Sequence, residues 1–425
     1  MRFYRKIMFA LVTITLSHAT VCGQLLGKDS IEGYRFTVIK ELPHTSIKNQ
    51  YRSGTCWSFS GLSFLESEML RMGKPEVDLS EMFVVWHTYF EKAVKYVRMH
   101  GDINFGPGGA FHDVTNMIRR YGMVPESVFP GLKYGEDKHI HGELDELLKG
   151  YIDGVIKNQN KKLSPVWLDG YRAILDTYLG QFPAEFEYEG NIYTPHSFLK
   201  DYCGIDPDDY VELSSYTHHP FYGKFILEVP DNWMYDEVYN LPLDELEEVI
   251  DYAIENGYSV AWAADVSEKG FDSKRTGVAV VPEIEKVEMS DSEISRWERM
   301  SDSEKFSMQL KTPGNEKIIN QEMRQAAFDN YETTDDHGVH IIGTAKDQKG
   351  NLYSIVKNSW GDYNRYHGKF YASKPYVRYK TMCIMVHKDA IPKSIQKKLN
   401  YYLKSEIWLI KKLTLIRLNI NFKKN

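Results

Sequence analysis

The chain has 425 residues, 42% of them hydrophobic and 26% charged. That composition excludes disorder and leaves room for one large domain or two ordinary ones. The net charge of −7 gives no footing for nucleic acid as a partner.

Residues 1–23 predict an export signal rather than part of the fold. MRFYRK is basic, IMFALVTITL is apolar over about ten residues, and SHATVCGQ is a small-residue exit. The apolar run is too short to span a bilayer. Cleavage before Gln24 implies export, with a bacterial periplasm as the expected destination. The alternative, a lipid anchor on Cys22, is disfavoured by Val21 directly before it. Once Cys22 is removed, Cys56, Cys203 and Cys383 remain, and at most Cys203 pairs with Cys383. Cys56 is then an unpaired thiol in an oxidising compartment, where a functional role competes with that of an inert buried cysteine.

After Cys56, WSFSGLSFLESEMLRMGK carries apolar residues at helical spacing and stops at Gly73 and Pro75. Cys56 therefore stands at a helix N-terminus, whose partial positive charge favours a thiolate. DLSEMFVVWHTYFEKAVKYVRMH predicts a second helix behind an Asp/Ser cap, and FGPGGAF opens a third. Residues 143–180 are helical in pattern with a break near Ser164-Pro165. NLPLDELEEVIDYAIENGYSVAWAADV predicts a helix, a stop at Gly257 and an apolar strand. Residues 267–330 are more polar and are expected to connect through helical turns. Beyond them GVHIIGTAKDQKGNLYSIVKNSW predicts a hairpin, and KFYASKP and TMCIMVHKD further strands. Helices first and strands later predict an α+β fold with segregated layers. The basic, apolar tail at 401–425 is too interrupted to cross a bilayer. It could touch a membrane surface or dock on the domain.

Thiol-dependent peptide hydrolysis needs a nucleophile, an imidazole, a group that fixes the imidazole, and oxyanion donors. Gln50, five residues, then Cys56-Trp57-Ser58-Phe59 resembles the nucleophile segment of the papain superfamily. DLSE at 78–81, GPGGAF at 106–111, HGVHIIG at 337–343 and KNSWG at 357–361 resemble that superfamily's other blocks, in family order. ILDTYLGQFP, NIYTPHSF and AWAADV are similar to its bleomycin hydrolase and aminopeptidase C branch. The resemblance implies a two-lobed fold at 24–400 with helical insertions at about 135–330. Its helical lobe would carry the cysteine, and its antiparallel lobe the histidine and asparagine.

It also implies Cys56 as nucleophile, His337 as general acid/base, Asn358 as the group orienting the imidazole, and Gln50 as oxyanion donor with the Cys56 N–H. Trp360 would shield the His–Asn bond, and Gly108 and Gly109 would let substrate backbone approach. Peptides are the implied substrates, and no cofactor or metal is called for. In that branch the chain's own C-terminus lies in the cleft, restricting cleavage to free N-termini, and six subunits assemble. The tail here departs from the family terminus, so an endopeptidase with an open cleft competes with an aminopeptidase. A silent binding protein on the same fold is the third reading. His340, three residues from His337, faces the opposite side of a strand and is expected to be structural. His218-His219 and His139-x-His141 lack a familiar zinc spacing and are expected to pack or lie at the surface.

Overall fold

The computed structural model describes residues 33–283 and 299–399. The export signal expected at 1–23 and the tail at 401–425 lie outside the described residues.

An extended N-terminal stretch contributes β1 (Thr37–Glu41). Five helices follow: α1 (Cys56–Arg71), α2 (Glu81–Arg98), α3 (Phe111–Tyr121), α4 (Gly142–Ile156) and α5 (Trp167–Tyr178). Ser80 caps α2 by accepting from the Phe83 N–H at 3.1 Å, as the DLSE segment predicts. Then come a small hairpin of β2 (Phe186–Tyr188) with β3 (Asn191–Tyr193), and the short strands β4 (Tyr210–Ser214), β5 (Lys224–Ile226) and β6 (Glu237–Asn240). Helix α6 (Leu243–Glu255) leads into β7 (Val260–Ala264). The polar connection supplies helical turns at 302–309 and 321–329. It also supplies two strands not anticipated from sequence, β8 (Phe271–Asp272) and β9 (Val278–Ala279), each too short to show alternation. Last come β10 (His337–Lys346), β11 (Leu352–Lys357), β12 (Lys369–Ser373) and β13 (Thr381–His387).

Among the described residues eleven strands form one sheet in the order β5-β6-β4-β13-β7-β10-β11-β12-β9-β8, with β1 paired to the second half of β10. Pairing is antiparallel except between β4 and β6 and between β9 and β12, where the segregated antiparallel lobe expected from sequence gives way to parallel edges. The β10–β11 hairpin turns at Asp347, whose Oδ1 accepts from the N–H groups of Lys349 and Asn351. One sheet face packs on α1–α5 through a large apolar cluster that includes Phe64, Leu65, Val114 and Ile118. The other face packs on α6 through Leu246, Val249, Ile250 and Ala253. At about 25 cal/mol per Å2 of apolar surface removed from water, these two layers are the main favourable term of the fold.

Helix α1 runs through the centre and is buried on every side from Trp57 to Met69. Its polar residues therefore need partners. Ser58 donates to Glu81 O at 3.0 Å, and Ser63 meets His340 Nδ1 at 2.9 Å. Glu66, 1% exposed, accepts from Thr45 Oγ1, Lys48 Nζ and the Leu79 N–H. These bonds fix the axial position of α1, and hence that of Cys56 at its end.

Candidate active site

Cys56 is the first residue of α1 and is half-buried. The start of β10 lies against this first turn because residue 338 is glycine. A Cβ there would stand 2.7 Å from Ser60 Oγ and 3.3 Å from Trp57 Cα. Gly338 and His340 face α1, and His337 projects from the opposite face, as period-two alternation requires. His340 is wholly buried and bonded to Ser63, so it is packing rather than chemistry.

His337 Nε2 lies 2.8 Å from Asn358 Oδ1, just past the end of β11. The surrounding bonds settle which way the Asn358 amide points. Its oxygen also accepts from the Ser359 N–H at 2.8 Å, and its Nδ2 donates to the Tyr363 hydroxyl at 3.0 Å. Oδ1 is thus an acceptor, so Nε2 carries the imidazole proton and the neutral ring keeps its lone pair on Nδ1. Trp360 stacks on His337 with ring centroids 4.8 Å apart. Gln50 is tied to the same turn twice. Its N–H donates to Ser359 O at 2.8 Å, and its Oε1 accepts from Ser359 Oγ at 2.6 Å. With Oε1 occupied, the donating Nε2 end of the Gln50 amide is left for the cavity that the residue lines. Cys56, Gln50, His337 and Trp360 share one cavity of about 550 Å3, and Asn358 stands behind the imidazole.

Electrostatics differ from the expectation of a thiolate. Burial pushes the Cys56 thiol up to about 12; the Gly338 and Trp57 N–H groups pull it down, and Asp335 and Asp231 push it further up. Burial likewise pulls His337 down to about 4, against its hydrogen bond with Asn358. At Cys56 desolvation opposes the charge that the helix N-terminus favours, and at His337 it opposes the imidazolium.

Gly108 and Gly109 line the cavity, but their missing side chains make room for the protein itself. A Cβ on Gly108 would stand 2.0 Å from Asp231 Oδ2, and one on Gly109 would stand 2.6 Å from Asp113 Oδ2 and 2.9 Å from the Trp57 ring. Trp57 also fastens the loop by donating from Nε1 to Pro107 O at 3.0 Å.

Cys203 and Cys383 are both free, so the disulfide left open by the sequence is not formed; Cys383 lines the cavity. His139 and His141 are buried, with no carboxylate partner in either ring's hydrogen bonds among the described residues. His218 and His219 acquire a carboxylate that their spacing does not reveal, Glu228, at 3.0 and 2.7 Å. Gln325 decides against a metal there. Its Oε1 accepts from the Thr217 N–H and its Nε2 donates to Asp329 and to His218 Nδ1. The His218 proton is therefore on Nε2, donated to Glu228, and that lone pair is not available to an ion.

The profile of the Peptidase C1-like family matches residues 2–163 and 183–409, most of the chain. The chain belongs to the Peptidase C1-like family. It is a cysteine-type peptidase. Aminopeptidase C from Lactobacillus delbrueckii subsp. lactis is 24% identical over 398 residues, 84% of this chain and 82% of the relative. Aminopeptidase G from the same organism is 23% identical over 401 residues, 85% of each. Crystalline PepW from Lactobacillus rhamnosis shares the fold at a TM-score of 0.65 and 20% identity, covering 87% of this chain and 85% of that one. The fold is papain-like, with additional helices.

Three further contributors to this peptidase's cleft were not evident from sequence. Ser359 sits inside the NSW string and could have been suspected there. Tyr363 and Asp231 approach through loops whose course is not encoded locally. Tyr363→Phe removes the acceptor that pins the Asn358 amide. We expect kcat to fall about tenfold with KM little changed, the scale of one buried hydrogen bond. In an Asn358→Ala background the same change is expected to cost nothing further; an equal loss in both backgrounds means that Tyr363 does not act through Asn358.

Proposed function

We propose that this peptidase is an aminopeptidase that works through an acyl-enzyme on Cys56. The observation that carries the reading is the bonded order Tyr363–Asn358–His337. It leaves His337 Nδ1 as the base on the cleft side, at the start of the strand that lies against Cys56. His337 takes the thiol proton as the sulfur attacks the peptide carbonyl, and returns it to the departing amine. Water then attacks the thioester with the same imidazole as base, releasing the acid and restoring the thiol. The oxyanion of each tetrahedral intermediate receives the Gln50 Nε2–H and the Cys56 N–H, donors set in place before reaction. Trp360 keeps water from the His337–Asn358 bond. Gly108 and Gly109 lie along the substrate's path. The relatives named aminopeptidases C and G support release of residues from free N-termini.

A thiol-reactive peptide probe is expected to label the wild type and not Cys56→Ala, and free-amine aminoacyl anilides are expected to turn over faster than their N-acetylated forms. Efficient turnover of blocked substrates would sink the aminopeptidase reading in favour of endopeptidase action. An unlabelled wild type would leave a silent binding protein.

A further inference from the structure

The cavity around Cys56 has a second, acidic wall. Besides the imidazole it is lined by Glu212, Asp231 and Asp335. Of the three, Glu212 alone has a cation in contact among the described residues, His112 Nδ1 at 3.3 Å. Glu212 is more than nine-tenths buried, and so is His112, whose Nε2 has no partner among the described residues. Asp231 accepts one hydrogen bond, from Asn104 Nδ2 at 3.0 Å, and its other oxygen lies over Gly108. Lys92, the nearby ammonium, is turned away to the carbonyls of Gly106 and Gly108. Asp335 has no hydrogen bond or ion pair at all among the described residues, whereas its neighbour Asp336 is bound by the N–H groups of Val266 and Ser267.

Two carboxylates without cations in a half-enclosed cavity are costly to maintain. They are costlier beside a nucleophile that must become an anion, since Asp335 and Asp231 both oppose ionisation of Cys56. Crowding with Asp231, Asp336 and Glu212 adds to burial in raising Asp335 itself to about 7. The wall's ligand atoms do not form a group converging within 4.8 Å, as those of His218, His219 and Glu228 do. A cation carried on a peptide can bridge such spread groups while its carbonyl reaches the sulfur.

We propose that Asp335 and Asp231 bind a primary ammonium of the substrate beside the bond to be cut. The proposal rests on the peptidase reading of Cys56 and deepens it. The ammonium can be the substrate's α-amino group or a lysine side chain, and its arrival neutralises the charge that adds to burial in keeping the thiol protonated. Binding of the right substrate then also prepares the nucleophile.

The test compares wild type, Asp335→Asn and Asp231→Asn on alanyl, N-acetyl-alanyl and N-acetyl-lysyl anilides, with alkylation of Cys56 by iodoacetamide in the absence of substrate. The expected result is a fall of about tenfold or more in the preference for free-amine over acetylated alanine, the worth of a charge-assisted bond. A comparable fall in the preference for acetyl-lysine over acetyl-alanine identifies the side chain as the source. Alkylation is expected to be several-fold faster in Asp335→Asn, a change that mere loosening of the fold at one surface would not confine to one thiol. Unchanged preferences in both variants, with the wild type still favouring free amines, overturn the subsite and leave the aminopeptidase reading standing. A wild type with no preference for either ammonium overturns the subsite too. If it still turns over acetylated anilides, the aminopeptidase reading falls with it while the chemistry of Cys56 survives.

Discussion

His337→Ala is expected to lower kcat/KM on peptide anilides by at least about a thousandfold, with the melting temperature close to that of wild type. The side chain sits at the first residue of β10 and lines the cavity, and among the described residues its ring makes one hydrogen bond, to Asn358. Truncation therefore removes the base and opens space that is already continuous with the cleft. His340→Ala is expected to do the reverse. That ring is wholly buried between Ser63 and Phe64, so its removal leaves a cavity and an unpaired serine hydroxyl. The cost is about 2–4 kcal/mol of stability, with Cys56 still labelled by a thiol-reactive probe in the folded fraction. Kinetics and thermal unfolding of the two variants separate the roles. Equal catalytic loss at unchanged stability in both would mean that the wrong imidazole has been assigned.

The second large effect concerns acid stability. His87 on α2 stacks flat on Tyr121 with centroids 3.9 Å apart and is ringed by Phe83, Trp86 and Phe182. Neither ring nitrogen has a hydrogen-bond partner among the described residues, and burial holds the imidazole down at about 3. Above the unfolded value of 6.5 the ring is neutral in both states and pH has no leverage. As pH falls below 6.5, the unfolded chain takes up a proton that the folded protein refuses until about 3, so stability is lost across that window. One such group costs about 1.4 kcal/mol per pH unit, or about 2 kcal/mol at pH 5. His87→Phe is expected to stabilise the protein at pH 8 by filling the same aromatic cage without two orphaned nitrogens. Its advantage is expected to grow by about 2 kcal/mol at pH 5. Urea unfolding at the two values measures it, and a difference between variant and wild type that does not change with pH would rule the mechanism out. Glu81 and Glu126, raised by burial to about 7 and 8, pull the stability of both proteins in the opposite direction and cancel in the comparison.

What could be seen in the sequence follows from how local each determinant is. The helix behind Cys56, the Ser80 cap and the hairpin turning at Asp347 are set by neighbours a few residues apart, and all three form as expected. Strands β4, β5 and β6 have three to five residues and no clean alternation, so their pairing is decided by the sheet they join. The thiolate expected of a helix N-terminus is the expectation that the surroundings of Cys56 oppose. A helix end favours charge, but how much desolvation opposes it depends on the cavity walls, and those come from residues as distant as Asp231 and Asp335.

By itself, then, the sequence determined the chemical cast. Cys56, His337, Asn358 and Gln50 are legible as candidates because each sits in a short string that resembles a papain-superfamily block. Tertiary structure alone decided their orientation and their surroundings. Ser359 reaches Gln50 across 309 positions, Tyr363 fixes the Asn358 amide, and Asp231 fills the space that Gly108 leaves. Hydrogen bonds and charges act over a few ångströms of space. No spacing along a chain encodes that distance until the chain has folded.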